Sequence, residues 1–137
     1  MNELLNSILS VLGDNVISVI VFGSYTRRKD YNDIDVFILT KRQLSEDEII
    51  ELREKEPRIH VFNYTPQTLK HIPILFLYNV SMGMILYDEN DYMKTIFDRL
   101  TKKLKEVNAF VSESTLIIPK PHSVKDIINY VFRGSVM

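Results

Sequence analysis

The sequence predicts an α/β (α+β) domain in which helices flank a mixed, twisted sheet. Two runs rich in Val and Ile, Val16–Phe22 and Val36–Leu39, are typical of buried strands, and a third strand is expected at Arg58–Tyr64. A helical pattern lies between the second and third strands, so strand, helix and strand alternate over this region. That order favours an α/β layer with at least some parallel pairing.

Composition supports one compact domain. With 137 residues and 45% hydrophobic content, the chain can bury one sizeable core but is too short for two ordinary domains. We expect a single domain over residues 1–137, with a core at about 1–90 and a C-terminal extension of helix and strand at about 91–137. The 17 basic and 18 acidic residues give a net charge of -1, which implies no general attraction to nucleic acid. The chain has no cysteine, which excludes disulfides and thiolate metal sites.

Two helices are predicted from their apolar spacing and their end signals. Asn2 to Leu12 carries Leu and Ile at helical spacing, and Gly13 follows as a natural stop. Ser45 and Glu48 form a capping-box pattern at the start of a second helix that runs to Lys55. The first helix is expected to pack on the sheet, and the many acidic residues of the second are expected to form a solvated face.

The segment Ile72–Tyr87 is uncharged and strongly apolar. It is too short for a membrane span, which needs about 20 apolar residues, and Pro73 and Gly83 interrupt it. A helix that covers the sheet is the simplest interpretation, and a surface that binds a partner protein is the alternative. Since the N terminus shows no secretory signal pattern, we expect a cytoplasmic protein without a membrane segment.

The last third of the chain carries further amphipathic patterns. Asp91 to Val107 predicts a helix, Phe110 to Ile118 a strand or hairpin, and Val124 to Phe132 a short helix or strand. From Lys94 onward, eight basic residues stand against four acidic ones. This surplus could border a triphosphate or meet an acidic or polynucleotide partner, or it could simply solvate the helices.

The segment between the first two strands carries the candidate chemistry. Gly23 ends the first strand, and Ser24 opens a turn whose unpaired backbone N–H groups and hydroxyl suit phosphate oxygens. Asp33 and Asp35 stand two residues apart at the start of the second strand, where alternation places both carboxylates on one side. Mg²⁺ usually takes one or two carboxylates and completes its shell with water and phosphate oxygens. The segment therefore predicts a site for a nucleoside triphosphate and its metal, against the alternative of an ordinary turn and a strand-capping pair.

Over Val16–Leu39 the chain resembles the minimal nucleotidyltransferases of the DNA polymerase β superfamily, whose signature is a strand, Gly-Ser, a short spacer and Asp-x-Asp. The resemblance implies a nucleotidyltransferase fold, ATP or another NTP as substrate, and Mg²⁺ or Mn²⁺ as cofactor. Gly23 and Ser24 would bind the nucleotide, and Asp33 and Asp35 would bind the metal. The implied reaction moves a nucleoside monophosphate, with AMP from ATP as the expected group, to a hydroxyl acceptor.

The resemblance also implies a partner. Many minimal nucleotidyltransferases are antitoxins that modify a HEPN-domain toxin, which here would have to be a separate chain. A transferase that acts on a small molecule or on a nucleic-acid end is less favoured, because this short chain shows no separate acceptor domain. The sequence leaves open a homo-oligomer.

The chain departs from the family pattern in the loop after Ser24 and on the third strand. Arg27, Arg28 and Lys29 stand where relatives usually carry an Arg-Gly pair, so these basic side chains either touch the triphosphate or form a solvated turn. His60 falls on the third strand where a third carboxylate is expected, and that strand has no Asp or Glu. An imidazole can act as a general base near neutral pH or bind a metal, but it brings no negative charge.

Three outcomes follow from the histidine. The protein uses His60 as its catalytic base, it is a one-metal or Mn²⁺-preferring enzyme, or it is a nucleotide-binding regulatory module that has lost transfer. A strand histidine at the rim of the core is the structural alternative for His60. Alternation predicts that His60 and Phe62 share the face that could meet the aspartate pair.

Overall fold

A computed structural model describes residues 2–23 and 33–133 of the chain. Its centre is a four-stranded sheet made of β1 (Val16–Phe22), β2 (Ile34–Thr40), β3 (Ile59–Tyr64) and β4 (Met84–Asp88), in the order β3-β2-β1-β4. β1 is antiparallel to both of its neighbours, whereas β2 and β3 are parallel. The predicted mixed sheet with parallel pairing is confirmed.

In the described part of the chain, six α-helices accompany the sheet. They are α1 (Asn2–Leu12), α2 (Glu46–Lys55), α3 (Pro66–Leu69), α4 (Ile74–Ser81), α5 (Tyr92–Glu106) and α6 (Val124–Val131). The predicted helices at the N terminus, after Ser45 and after Asp91 are confirmed, and the last segment is a helix rather than a strand. A hairpin of β5 (Phe110–Ser112) and β6 (Thr115–Ile117) lies between α5 and α6.

Helices cover both faces of the sheet. One face packs against α1 and α2, and the other packs against α3, α4, α5 and α6. β2 contributes Val36 and Ile38 to the first layer and Phe37 and Leu39 to the second, and all four side chains are fully buried. A strand covered on both faces needs apolar residues at every position, which explains its continuous apolar sequence.

The predicted capping box fixes the start of α2. The Ser45 hydroxyl accepts a hydrogen bond from the N–H of Glu48, and the Glu48 carboxylate accepts one from the N–H of Ser45 at 2.9 Å. This N–H of Ser45 lowers the pKa of the Glu48 carboxyl. Two otherwise unpaired N–H groups are thereby satisfied at the helix end.

Asn63 joins β3 to β2 and to the loop that follows β2. Its amide nitrogen donates to the carbonyl of Ile38 at 3.0 Å and to the hydroxyl of Thr40 at 2.9 Å. Its amide oxygen accepts from the N–H of Leu44 at 3.0 Å. One side chain therefore satisfies three polar groups at this end of the sheet.

The apolar segment Ile72–Tyr87, for which a covering helix is the simplest interpretation, divides into helix α4 and strand β4. The single-helix interpretation is wrong because the chain turns at Gly83 and runs beside β1. A Cβ at Gly83 would collide with the carbonyl of Val21 and would lie 2.8 Å from Cβ of Phe22. Only glycine permits this close approach of two backbones.

A smaller difference concerns Thr65 and Pro66, a pair that predicts a turn. Thr65 is the N-cap of the short helix α3, and Pro66 occupies its first turn, where a missing N–H has no cost. No helix within residues 2–23 or 33–133 is long and apolar enough to cross a membrane.

Candidate active site

Gly23 forms a corner at the end of β1. Its φ is +74°, in the left-handed region that favours glycine. Phe22, the residue before it, pairs with Asp35 across the antiparallel ladder. A Cβ at Gly23 would lie 2.8 Å from Oδ2 of Asp35, so the missing side chain leaves room for this carboxylate. The structure thus places the glycine of the predicted motif directly against its second aspartate.

Asp35 also meets His60. The two residues are neighbours in the parallel pair of β2 and β3, and Nδ1 of His60 lies 3.3 Å from Oδ1 of Asp35. The Asp35 side chain is 25% exposed and the His60 side chain 54% exposed, so both can be reached from solvent. The predicted placement of His60 on the face that meets the acidic motif is confirmed for Asp35.

The two oxygens of Asp35 therefore face different neighbours. Oδ1 lies toward the imidazole of His60, and Oδ2 lies toward the Gly23 corner. The carboxylate of Asp35 therefore lies between the candidate base, His60, and the corner where phosphate is predicted to bind.

Three phenylalanines form an aromatic floor beneath the imidazole. The ring of His60 lies 4.5 Å from that of Phe62, and Phe62 lies 5.3 Å from both Phe22 and Phe76. The ring of His60 thus has Phe62 on one side and the carboxylate of Asp35 on another. Alternation along β3 predicts the contact of His60 with Phe62, but no local pattern predicts Phe76, which comes from α4.

Asp33 is exposed and immediately precedes β2. Within residues 2–23 and 33–133, no group of three or more His, Cys, Asp or Glu side chains is arranged to hold a metal ion. The donors that the sequence predicts are two carboxylates and one imidazole, a set of hard oxygen and borderline nitrogen atoms that suits Mg²⁺ or Mn²⁺ when substrate phosphates complete the shell. By donor type these residues suit such an ion, and among the described residues Asp35 and His60 lie together, with 3.3 Å between Oδ1 and Nδ1.

Several predicted nucleotide-binding residues lie outside the described residues. They are Ser24, Arg27 and Arg28, together with the neighbouring Lys29. The described part of the candidate site consists of Gly23, Asp33, Asp35 and His60.

A cleft of about 580 Å³ lies elsewhere, and its lining residues are Leu9, Gly13, Asp14, Val16, Lys41, Tyr87 and Glu89. Val16 begins β1 and Gly23 follows its end, so the cleft and the corner are separated by the length of a seven-residue strand, roughly 20 Å. This cleft is therefore distinct from the candidate active site.

Part of the C-terminal basic surplus is engaged in local contacts. Lys94 pairs with Asp98 at 3.2 Å, and Lys103 pairs with Glu106 at 3.3 Å. The guanidinium of Arg99 donates to the carbonyls of Val131 and Arg133, at 3.3 Å and 2.7 Å. The contacts of Arg99 join α5 to the end of α6, and the two lysine pairs lie within α5. Helix solvation and capping therefore account for three of the cations.

The sequence matches the family model described as "Polymerase beta, Nucleotidyltransferase" over residues 3–92, well over half of the chain. The chain therefore belongs to the polymerase beta nucleotidyltransferase family, as the Gly-Ser and Asp-x-Asp segment indicates. The matched region contains the whole four-stranded sheet and every predicted site residue. None of the curated proteins compared with the chain matches its sequence.

Solved structures share the fold. A chain of a toxin–antitoxin complex with AMP-PNP is similar at 16% sequence identity and a TM-score of 0.50, over 79% of this chain and 96% of that one. A chain of a mutant MntA-HpeT toxin–antitoxin complex is similar at 15% identity and a TM-score of 0.50, over 79% of this chain and 94% of that one. A chain of the complex between a tri-AMPylated HEPN toxin of Shewanella oneidensis and its MNT antitoxin has 18% identity and a TM-score of 0.43, over 77% and 92% of the two chains. The resemblance to minimal nucleotidyltransferases is confirmed at the level of fold.

Proposed function

We propose that the protein is a metal-dependent nucleotidyltransferase that moves AMP from ATP onto a hydroxyl acceptor and releases pyrophosphate. The observation that carries this proposal is the meeting of Gly23, Asp35 and His60 at one corner of a sheet of this family. A structural neighbour solved with AMP-PNP supports ATP as the nucleotide.

The nucleotide would lie at the corner of β1. The backbone N–H groups at Gly23 and Ser24 would seat the β and γ phosphates, and Arg27 and Arg28 would contact the triphosphate. Asp33 and Asp35 would hold Mg²⁺ or Mn²⁺. When bound there, the ion would supply positive charge to offset the negative charge that develops at the α phosphorus.

Transfer makes one bond and breaks another. The acceptor oxygen bonds to the α phosphorus, the bond from this phosphorus to the oxygen of pyrophosphate breaks, and the acceptor proton passes to His60. Nδ1 of His60 faces Asp35, so Nε2 is the nitrogen that remains for the acceptor. Oδ1 of Asp35 would stabilise the imidazolium, while Oδ2, on the side of Gly23, stays directed toward the phosphates.

The acceptor we propose is a separate protein, a HEPN-domain toxin. Two arguments support it: the resemblance to minimal nucleotidyltransferases that modify such toxins, and the fold shared with chains of toxin–antitoxin complexes. A small-molecule acceptor is the rival within the same reaction class.

A second candidate function is a regulatory module that binds ATP and metal without transfer. The observation that favours it is His60, which stands beside Asp35 where the family usually has a third carboxylate. Two carboxylates and an imidazole hold paired divalent ions less firmly than three carboxylates do.

The test is incubation with ATP labelled at the α phosphorus, Mg²⁺ or Mn²⁺, and either a purified HEPN-domain protein or cell extract. We expect a labelled protein acceptor with the wild type and none with Asp33→Ala or Asp35→Ala. Asp98→Ala is the matched control, because its side chain is 69% exposed on α5 and should leave labelling unchanged. ATP binding without any labelled acceptor would favour the regulatory module, and labelling that persists in both site variants would refute the assigned roles.

A further inference from the structure

His60 carries its imidazole on an edge strand of the sheet, with 54% of the side chain exposed. The carboxylate of Asp35 lies 3.3 Å from Nδ1, so Nε2 is the nitrogen that remains for the acceptor. An exposed side chain can occupy several staggered rotamers, and each of them directs Nε2 to a different point. Because a base acts only within hydrogen-bond reach of the proton that it removes, the site needs a second contact that selects one rotamer.

Phe62 makes a contact of this kind. Alternation along β3 puts Phe62 two residues from His60 on the same face of the strand. The centroids of the two rings lie 4.5 Å apart, and the ring planes are inclined by 45°. Rings at this distance touch, so Phe62 occupies space into which the imidazole could otherwise rotate.

Phe62 is in turn restrained by the other two rings of the aromatic floor. Its centroid lies 5.3 Å from that of Phe22, at an interplanar angle of 62°, and 5.3 Å from that of Phe76, at 46°. Phe22 and Phe76 also meet each other edge-on, at 5.4 Å and 83°. Tilted and edge-on pairs at such distances are favourable arrangements of aromatic rings. Each ring of the floor therefore contacts both of the others.

The aromatic floor also connects His60 to the Gly23 corner. Phe22 is the last residue of β1, is 5% exposed and immediately precedes Gly23. It also pairs with Asp35 across the antiparallel ladder. Phe62 therefore lies between the imidazole and the residue that leads into the predicted phosphate corner. A ring in this place sets how far the imidazole stands from that corner.

The burial of Phe62 differs from that of its neighbour in the parallel pair, Phe37 of β2. Phe37 is fully buried, as expected of a side chain that fills the core. Phe62 is only partly buried: it packs against the core and also against the half-exposed imidazole. Phe62 thus combines a contact with the core and a contact with the candidate base.

We propose that Phe62 is a positioning residue, which keeps the imidazole of His60 in the rotamer that directs Nε2 toward the acceptor hydroxyl. It acts through His60 and not through a contact of its own with the reacting atoms. The inference rests on the proposed function, in which His60 takes the acceptor proton. Since a displacement of about 1 Å can cost about a hundredfold in rate, a ring that limits the imidazole has a measurable effect.

The direct test measures the order of the imidazole and does not require transfer. The chain has three histidines, so carbon-13 relaxation of their ring C–H groups is simple to assign, and His60→Asn identifies the signals of His60. In Phe62→Leu we expect the order parameter of the His60 ring to fall toward the range of flexible groups, below about 0.6. Phe62→Tyr keeps the aromatic ring and should keep the wild-type order parameter.

Tyr64→Leu is the matched control. Tyr64 lies on the same face of β3, and its ring stacks on Phe37 at 5.7 Å and lies 6.3 Å from Phe76. The loss of this ring leaves the contact between Phe62 and His60 in place, so the order parameter of His60 should not change.

Circular dichroism must show equal helix content in the variants compared. If Phe62→Leu does not fold, Phe76→Leu is the second variant, because it removes one of the two rings that restrain Phe62 and should lower the His60 order parameter in the same direction. The proposal is overturned if the order parameter in folded Phe62→Leu, or in Phe76→Leu where it takes that place, equals the value in Tyr64→Leu.

Kinetics test the consequence for transfer, with ATP labelled at the α phosphorus, Mn²⁺ and a purified HEPN-domain protein. Phe62→Leu should lower kcat roughly three- to tenfold, the effect of one aromatic pair, and change KM for ATP by less than about twofold. Phe62→Tyr should restore kcat. An equal fall in Tyr64→Leu, or a loss confined to KM, would contradict the positioning role. If the wild type transfers nothing, the proposed function fails, whereas the order of the imidazole still decides whether Phe62 positions His60.

Discussion

Nδ1 of His60 lies 3.3 Å from Oδ1 of Asp35, across the parallel pair of β2 and β3. The contact joins the residue that replaces an expected carboxylate to a member of the Asp-x-Asp motif. Because Oδ2 of the same carboxylate faces Gly23, a change at either neighbour acts on Asp35.

His60→Asp should increase the effect of metal on stability. Without metal, a second carboxylate beside Asp35 should lower Tm through repulsion, and bound Mn²⁺ or Mg²⁺ should relieve it. The gain in metal binding should be at least about 1 kcal/mol, the energy of two unit charges roughly 4 Å apart in water. Thermal melts at increasing metal concentration measure this gain as a rise in Tm. If the protein transfers AMP, the rate of transfer should also rise. His60→Asn adds no charge and is the control; equal metal-induced shifts in the two variants would place His60 away from the ion.

Gly23→Ala should lower both the stability of the protein and its affinity for ATP. A residue with a Cβ at φ +74° costs roughly 1–2 kcal/mol, and the new methyl would push Asp35 from its position. Gly13→Ala is the matched control, because Gly13 has φ +56° but no atom within 4 Å of an added Cβ. Urea unfolding should show a cost in both variants, whereas ATP binding with Mn²⁺ should fall only in Gly23→Ala. If Gly23→Ala and Gly13→Ala bind ATP with equal affinity, Asp35 does not belong to the nucleotide site.

Asn63→Leu should destabilise the protein by about 2–3 kcal/mol, because it removes the partners of several inward-facing polar groups at once. Asn79→Leu, at an exposed position of α4, should stay within about 0.5 kcal/mol of wild type. Urea unfolding of both variants measures the difference. A small effect at Asn63 would mean that other groups or water replace its hydrogen bonds.

Stability should depend on pH through Glu48. The N–H of Ser45 lowers the pKa of this carboxyl in the folded protein, so its stabilisation is present above the ordinary pKa of 4.5 and is lost as the pH falls through the folded value. Glu48→Gln should therefore cost more at neutral pH than near pH 3, by less than about 1 kcal/mol for a single helix cap. Urea unfolding at both pH values measures the free energy of unfolding. Glu51→Gln, at an exposed position of the same helix, is the control. The same loss at both values would assign the effect to packing.

Features set by local chemistry could be predicted from the sequence. The glycine corner, the doubly covered β2 and the Ser45 capping box each depend on residues within a few positions of one another. Strand β4 could not, because it exists through a contact of Gly83 with Val21 and Phe22, which lie about sixty residues earlier in the chain.

The sequence also predicts part of the candidate site. Alternation along β3 places His60 on the correct face, but its distance from Asp35 depends on the register of the parallel pair, which no turn in the sequence fixes. The aromatic floor needs Phe76 from a helix packed across the sheet, and this is a tertiary contact.

The hydrogen bonds between Asp88 and the start of α5 limit where the chain can be truncated. The family-model match ends at residue 92, yet the carboxylate of Asp88 accepts the N–H groups of Met93 and Lys94, just past that limit. Beyond it, α5 and α6 supply much of the layer that shields one side of β1 and β2 from water. A fragment trimmed to residues 3–92 should therefore leave this apolar face of the sheet open to water.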